Sequence, residues 1–507
     1  MRSSQRGHAG FAAGDFRPYD NSRLKRASLF SGAVVVAALV IAGGWKVGPS
    51  LGKWLDFTGK TSTEDTAALA SPSPSLIDSA HATTTAPAPL AETPEALPTP
   101  YTSSGLIKHS LNAEHLGKID ALIGNAEARL IGVYQRIGKG ELRQALAEAE
   151  SLASDHPNYQ LAQLVLGDLL NMRTGVDTLV SVGGLVNPPT PEAKLQLMAL
   201  REESQRRLQA LAERPPVGAI PSQFLALSPQ NRHAIAIDTS RSRLYLFENK
   251  AYKRTSKKLH DIELSAPKLK LIGDYYISVG LLGVNKQVEG DKRTPLGVYF
   301  ITSNLDPNSL PDLYGAGALP INYPNALDLQ RGKTGSGIWL HGTPREQFVR
   351  APQASDGCVV LSNQDLEHLL ETVSVRTTPV VITNELQWVD PAEADVQQAS
   401  IKPLLEQWKQ AKSEGKLEQL KQFYANDFSA EGGETRRWWR NTMKDMRRKG
   451  SKRVALKDVS VLRWNDGDDT FVVTFGEVRD GERSGVTRRQ YWSRRNGEWK
   501  IFFEGTV

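Results

Sequence analysis

A single cysteine, Cys358, occurs in a chain of 507 residues, so no disulfide can form within it. That suits a catalytic thiol in an oxidising compartment, which gains from having no partner thiol nearby. No cluster of His, Cys, Asp or Glu has the spacing of metal ligands, so no metal site is expected, and no cofactor is implied. Long apolar runs are nearly missing as well. The exception is Ala27–Trp45, nineteen residues without a charge, just long enough to cross a bilayer core as a helix. Before it stand Arg2, Arg6, Arg17, Arg23, Lys25 and Arg26 against Asp15 and Asp20. The excess of positive charge places a basic tail, 1–26, in the cytoplasm and everything after the anchor, 27–45, beyond the inner membrane. A cleaved signal peptide is the alternative, but its apolar region is typically only roughly 7–15 residues long. This topology excludes nucleic acid as a partner.

What is present divides into blocks. Residues 46–105 are rich in Ser, Thr, Pro and Ala (Ser71-Pro-Ser-Pro-Ser, Thr83-Thr-Thr-Ala-Pro-Ala-Pro) and are expected to form an extended tether. Residues 106–215 read as helical, with Leu116, Ile119, Leu122 and Ile123, then Leu142, Ala145, Leu146 and Ala149, at helical spacing. Gly140–Asp168 is similar to one tetratricopeptide-style helical pair. A platform packed on the following domain is the first expectation for this region, and a protein partner or self-association the second. From 231 to 385 short β-rich runs alternate with turns: 233–238, 244–248, 274–280, 297–302, 337–341 and 380–383. Their turn residues favour an all-β sandwich or open barrel over a parallel sheet. Residues 307–334, rich in Gly, Pro and Asn, are a candidate substrate loop. Gln364–Val373 reads as a helix, with His368 on its surface.

After 400 come helices and then four strands with hairpin signals at Asn465-Asp-Gly, Asp480-Gly and Asn496-Gly, a pattern for an α+β cone. Residues 400–507 carry 23 Lys and Arg against 16 Asp and Glu, so this block accounts for the positive balance of the chain. Arg436, Arg437, Arg440, Lys444, Arg447, Arg448, Lys449, Lys452 and Arg453 cluster around Trp438 and Trp439. With nucleic acid removed by the topology, such a helix could bind anionic lipid or an anionic wall polymer, with exposed tryptophans stacking on sugar rings, or be a solvated helix with its tryptophans in the core.

The chemistry concentrates in 338–363. Ile338-Trp-Leu-His341-Gly-Thr is followed by a loop and by Ala354-Ser-Asp-Gly-Cys358-Val-Val-Leu-Ser-Asn363. A thiol becomes a nucleophile when a neighbour lowers its pKa or takes its proton, and His341 is the candidate base. Gly357 lets backbone approach a substrate closely, and Val359–Leu361 anchors the loop in a core. The bland alternative is a cysteine packed as a small hydrophobe.

These motifs resemble the active-site signature of the YkuD-type L,D-transpeptidase family. Ala234–Asn249 looks like that family's opening hairpin, and Ile277-Ser-Val-Gly with Gly290–Tyr299 like its central strand and glycine-rich loop. The C-terminal block resembles an NTF2-like fold. The expected architecture is therefore multidomain: a helical region, a β-rich catalytic domain at 231–385 and an α+β NTF2-like domain at 400–507. Two positions depart from the family pattern, Asp356 where a second histidine is usual and Val360 where an arginine is common. They suggest the subgroup that trims stem peptides, similar to the cell-shape L,D-carboxypeptidase of helical bacteria.

The resemblance implies peptidoglycan stem peptides as substrate and attack by Cys358, with His341 as general base and acid, on the carbonyl of meso-diaminopimelate. D-alanine then leaves a thioacyl-enzyme. Backbone N–H groups around Gly357 and Cys358 would hold the oxyanion, Ser355 and Gly342 would shape the loop, and Arg293 and Trp339 would meet the substrate. A backbone carbonyl is the expected orienting partner of His341. Water as acceptor gives a carboxypeptidase, and a second diaminopimelate amine gives a 3-3 cross-link. A lipoprotein-linked donor gives attachment or detachment, and a non-catalytic wall-binding scaffold is the rival of another class.

Overall fold

The computed structural model describes residues 124–175, 179–181, 183, 188, 190–250, 262–447, 453–482 and 485–507. The basic tail, the 27–45 run and the 46–105 tether lie outside them. Among the described residues no helix is long and apolar enough to cross a membrane.

Four helices open the described chain: α1 (Asn125–Gly138), α2 (Leu142–Asp155), α3 (Gln160–Arg173) and α4 (Pro191–Ala212). The α1–α2 turn passes through Gly140 at φ +76°, a left-handed conformation that glycine adopts without steric penalty. Thr190 caps α4, its hydroxyl accepting from the Ala193 N–H at 3.1 Å, and Pro191 fills the first turn. Leu130, Val133 and Ile137 of α1 meet Ala145, Ala149 and Leu152 of α2 and Leu161, Val165 and Leu169 of α3 in one core. Phe348 and Val349 of the catalytic domain pack onto that core, so the helices form a platform on the enzyme, the first expectation for this region.

The catalytic domain is built on β1 (Phe224–Ala226), β2 (His233–Asp238), β3 (Arg243–Asn249), β4 (Leu269–Tyr276), β5 (Gly297–Phe300), β6 (Ala318–Pro320), β7 (Trp339–His341), β8 (Val359–Val360) and β9 (Pro379–Thr383). Five of them form a sheet in the order β4-β3-β2-β9-β5, and a smaller sheet runs β8-β7-β6. The domain is β-rich as expected, and its pairing is mixed: β2 pairs with β9 and β7 with β8 in parallel. Between the two sheets lies a core of Ile235, Ile237, Leu244, Leu246, Val380 and Ile382 from the large sheet and Leu319, Leu340 and Val359 from the small one. Helix α5 (Asn363–Thr372) closes it with Leu366 and Leu369. His368 is exposed on α5, its ring in contact with the Tyr275 hydroxyl.

The other face of the large sheet is also covered. Ala234, Ala236, Tyr245, Phe247, Val298 and Val381 pack against Leu462, Trp464, Val472, Tyr491 and Phe502 of the C-terminal domain. That domain contributes α6 (Lys402–Ser413), α7 (Thr435–Arg447), β10 (Tyr424–Ala430), β11 (Val454–Asp466), β12 (Asp468–Arg479), β13 (Val486–Arg495) and β14 (Glu498–Thr506). Its sheet runs β10-β14-β13-β12-β11-β1. The last strand comes from the segment entering the catalytic domain, so the two domains share both an apolar layer and a ladder.

Trp438 and Trp439 are half-buried, 4.8 Å apart and each 5.1 Å from the Tyr424 ring. They form an aromatic cluster with Phe428 against the domain's core, not the exposed sugar platform considered from sequence. Arg436, Arg437, Arg440, Lys444 and Arg447 remain exposed on the outer side of α7.

Candidate active site

Strand register explains how two residues seventeen apart come together. Val359 pairs with Leu340 and Val360 with His341 in the parallel β7–β8 ladder. Leu340 and Val359 enter the core, and side chains alternate along a strand. Trp339 and His341 therefore take the opposite face, as does Cys358 just before β8. The Cys358 thiol points at the Gly337 carbonyl, Sγ to O 3.5 Å, and the Trp339 N–H lies against the sulfur.

His341 is buried, and its Nδ1 is 2.7 Å from the Gly342 carbonyl oxygen. A carbonyl only accepts, so Nδ1 carries the proton and Nε2 is left basic, the tautomer a general base requires. Burial lowers the imidazole to about 4, with the charge of Arg350 acting in the same direction. Burial also raises the Cys358 thiol, although the Trp339 N–H and the Arg350 charge oppose this. The ground state is thus a neutral thiol and a neutral imidazole on one face of the β7–β8 ladder. Desolvation penalises both charged forms, so of the two routes to a nucleophile the one that remains is proton removal by a base. Alkylation of Cys358 by iodoacetamide should accordingly titrate at or above the ordinary cysteine value of about 8.5. A midpoint near 6 would instead reveal a thiolate–imidazolium pair.

The nucleophile loop is held by backbone clamps. Ser355 is buried, and its hydroxyl donates to the Cys358 carbonyl at 2.6 Å while accepting from the Gly357 N–H at 3.1 Å. That bond occupies the Gly357 N–H, one of the two donors expected for an oxyanion. The Cys358 N–H makes no hydrogen bond among the described residues and remains available. Gly357 sits at φ +124°, and a Cβ there would lie 2.7 Å from the Arg293 carbonyl oxygen. The Arg293 backbone therefore abuts the loop, but its guanidinium donates to the Val284 carbonyl at 3.0 Å. Asp356 is 78% exposed with Lys292 3.9 Å away, and Val360 is buried between His341 and Ser278.

Four contributors are not apparent from the sequence. Thr294 donates to the Gly357 carbonyl and accepts from the Gly280 N–H, both at 2.9 Å. Asn363 clamps the other side: its Oδ1 accepts from the Ala316 and Thr343 N–H groups at 2.9 and 3.2 Å, and its Nδ2 donates to the Thr343 carbonyl. A Cβ on Gly342 would fall 2.1 Å from that Oδ1, so the side-chain-free residue after His341 is a packing requirement. Tyr314, within the glycine- and proline-rich 307–334 segment, lies 4.8 Å from the Trp339 ring and 5.0 Å from the His341 ring. Arg350 is the fourth, a cation close enough to affect both His341 and Cys358. Among the described residues no group of His, Cys, Asp or Glu could hold a metal ion.

Residues 232–382 match the family model of the YkuD L,D-transpeptidase catalytic domain, and residues 400–505 that of the Cds6 C-terminal NTF2-like domain. Among solved structures, Bd1075 of Bdellovibrio bacteriovorus is 25% identical with a TM-score of 0.46, the match covering 57% of this chain and 99% of that one. The helical cell shape determining protein Pgp2 of Campylobacter jejuni is 21% identical with a TM-score of 0.43, over 56% of this chain and 95% of that one. No curated protein matches the sequence. The chain carries a YkuD-type L,D-transpeptidase catalytic domain followed by an NTF2-like domain of the Cds6 C-terminal type.

Proposed function

We propose that this protein is an L,D-carboxypeptidase that trims peptidoglycan stem peptides, tethered to the inner membrane by 27–45 with its catalytic part in the periplasm. The observation that carries the reading is the dyad: a buried imidazole, fixed by a carbonyl as the Nδ1–H tautomer, on the same strand face as the only thiol of the chain. His341 Nε2 takes the proton from Cys358 as sulfur attacks the diaminopimelate carbonyl, and returns it to the amine of the leaving D-alanine. Water then hydrolyses the thioester, with His341 again as base. The Cys358 N–H is the donor left for the oxyanion. Asp356 and Val360 support water as acceptor over a second stem peptide, since they replace the histidine and arginine usual in cross-linking relatives.

The test uses the full-length protein in detergent, with and without Cys358→Ala, on a disaccharide tetrapeptide containing meso-diaminopimelate. Mass spectrometry should find tripeptide and free D-alanine with the parent protein and neither with the variant. A cross-linked dimer would make it a transpeptidase. No thiol-dependent product from this or a lipoprotein-linked muropeptide would leave the scaffold reading.

A further inference from the structure

Arg350 has no carboxylate partner among the described residues; the hydrogen bond it makes is a long one, 3.5 Å from its guanidinium to the Leu313 carbonyl. Its side chain is half-buried at the thiol's side of the site, and burial disfavours its charge, an effect that the Cys358 sulfur and the Asp356 carboxylate oppose without either pairing with it. Desolvating a cation that no carboxylate pairs with is costly and is retained where a charged ligand completes the pair. The surroundings keep it in place. The Arg350 carbonyl accepts from the Tyr276 hydroxyl at 3.0 Å, and Pro352 from the Val279 N–H at 2.9 Å.

Two residues earlier, the ring of Phe348 stacks on Tyr159 at 4.4 Å and meets His156 edge-on at 5.0 Å. Asn158 flanks this contact, its side chain donating to the Arg345 carbonyl at 3.1 Å. Tyr159 is fully buried, and with His156 and Asn158 it belongs to the α2–α3 turn. The helical platform thus grips the loop that presents the arginine.

We propose that Arg350 binds the free α-carboxylate of the residue that leaves, and that the α2–α3 turn positions it by seating Phe348. The inference rests on the proposed cleavage before a terminal D-alanine. A guanidinium matches a carboxylate with two parallel N–H donors, and a terminal carboxylate one residue beyond the attacked carbonyl distinguishes a carboxypeptidase's substrate from an internal bond. The same positive charge favours the thiolate as it forms on Cys358. The platform would then act on specificity without touching substrate.

The experiment compares three tetrapeptide substrates on the full-length protein: the free acid, the C-terminal amide, and the free acid amidated at the diaminopimelate side-chain carboxyl. The parent protein should cleave both C-terminal acids and prefer them to the amide by about 10–100-fold, the range of a charged hydrogen-bonded pair. Arg350→Gln should lose that preference by slowing the acids more than the amide, the loss common to all three measuring its charge at Cys358, and Arg350→Lys should restore part of the preference. Phe348→Ala should shrink the acid-to-amide ratio in the same sense, whereas a merely structural defect would slow all three substrates equally. Equal loss on acids and amide in Arg350→Gln, or no preference in the parent, would overturn the assignment and leave the cleavage reading standing. Sensitivity only to side-chain amidation would assign Arg350 to that carboxylate and also overturn it. If the parent cleaves none of the three, the cleavage reading itself fails.

Discussion

Replacing His341 by Gln should lower kcat/KM by about 10²–10⁴-fold, the range for removal of a general base. Glutamine can still donate to the Gly342 carbonyl from the same buried position, so loop geometry is largely kept and proton transfer is what disappears. The parent's acid limb should be unusual too. His341 loses its proton at about 4 because burial penalises the imidazolium, so the base form persists from neutral pH down to about pH 5 and activity declines only below that. The same burial predicts a stability effect. In the unfolded chain His341 binds its proton at the ordinary value near 6.5, so between about 6.5 and 4 the unfolded state holds a proton that the folded state refuses. Stability therefore falls as pH drops through that window, by on the order of 3 kcal/mol for this group. His341→Gln should flatten that slope in urea titrations at pH 4.5 and 7 while abolishing turnover. A variant with near-parental kcat/KM would remove His341 from the reaction.

His341 was legible as the end of an apolar strand and Cys358 as the lone thiol after a glycine, but Val359–Leu361 read only as a loop anchor, so the short parallel ladder that puts the two residues on one face was not visible. The size pattern in His233-Ala-Ile-Ala-Ile-Asp238 carried a further message that was harder to read. The isoleucines face the catalytic core and the alanines face the C-terminal sheet, so small residues mark where another layer presses close. Phe224–Ala226 could not be read as a strand of that distant sheet, because its pairing partner, β11, lies more than two hundred residues away. Arg350 was invisible for a similar reason: its loop has no periodicity, and what aims the arginine is a ring stack with Tyr159 in another region. Trp438 and Trp439 misled in the other direction. In sequence they ride on a basic helix, but Tyr424 and Phe428 of β10 draw them onto the domain's core.

Removing Arg243 should be the most destabilising single change at the seam between the helical platform and the catalytic sheet. Its guanidinium reaches Glu127 of α1 at 2.6 Å and Asp274 of β4 at 2.7 Å, and also donates to the Asp274 carbonyl. Glu127 is shared with Arg207 of α4 at 2.7 Å, and Arg207 in turn holds Glu203 at 2.8 Å and lies over the Tyr276 ring at 3.9 Å. Arg243, Arg207, Glu127, Glu203 and Asp274 are all at most 5% exposed. Burial by itself would raise the Glu127 carboxyl, but the charges of Arg243 and Arg207 overcome it and hold the group below its ordinary value. Arg243→Met fills the space yet leaves Glu127 with Arg207 alone and Asp274 with Arg214 alone, 3.3 Å away, in a dry seam, a loss of up to about 3–5 kcal/mol at neutral pH. Adding Glu127→Gln should recover part of that loss, because one of the two under-compensated charges goes with it. The penalty should also shrink as pH falls through the carboxylate range, since protonation neutralises what the arginine no longer balances. Urea unfolding of the parent, the single variant and the double variant at pH 7 and pH 4.5 measures all three quantities. A loss under 1 kcal/mol for Arg243→Met, or no recovery in the double variant, would mean that these charges are solvated in solution and that apolar contacts such as Phe348 on Tyr159 hold the platform in place.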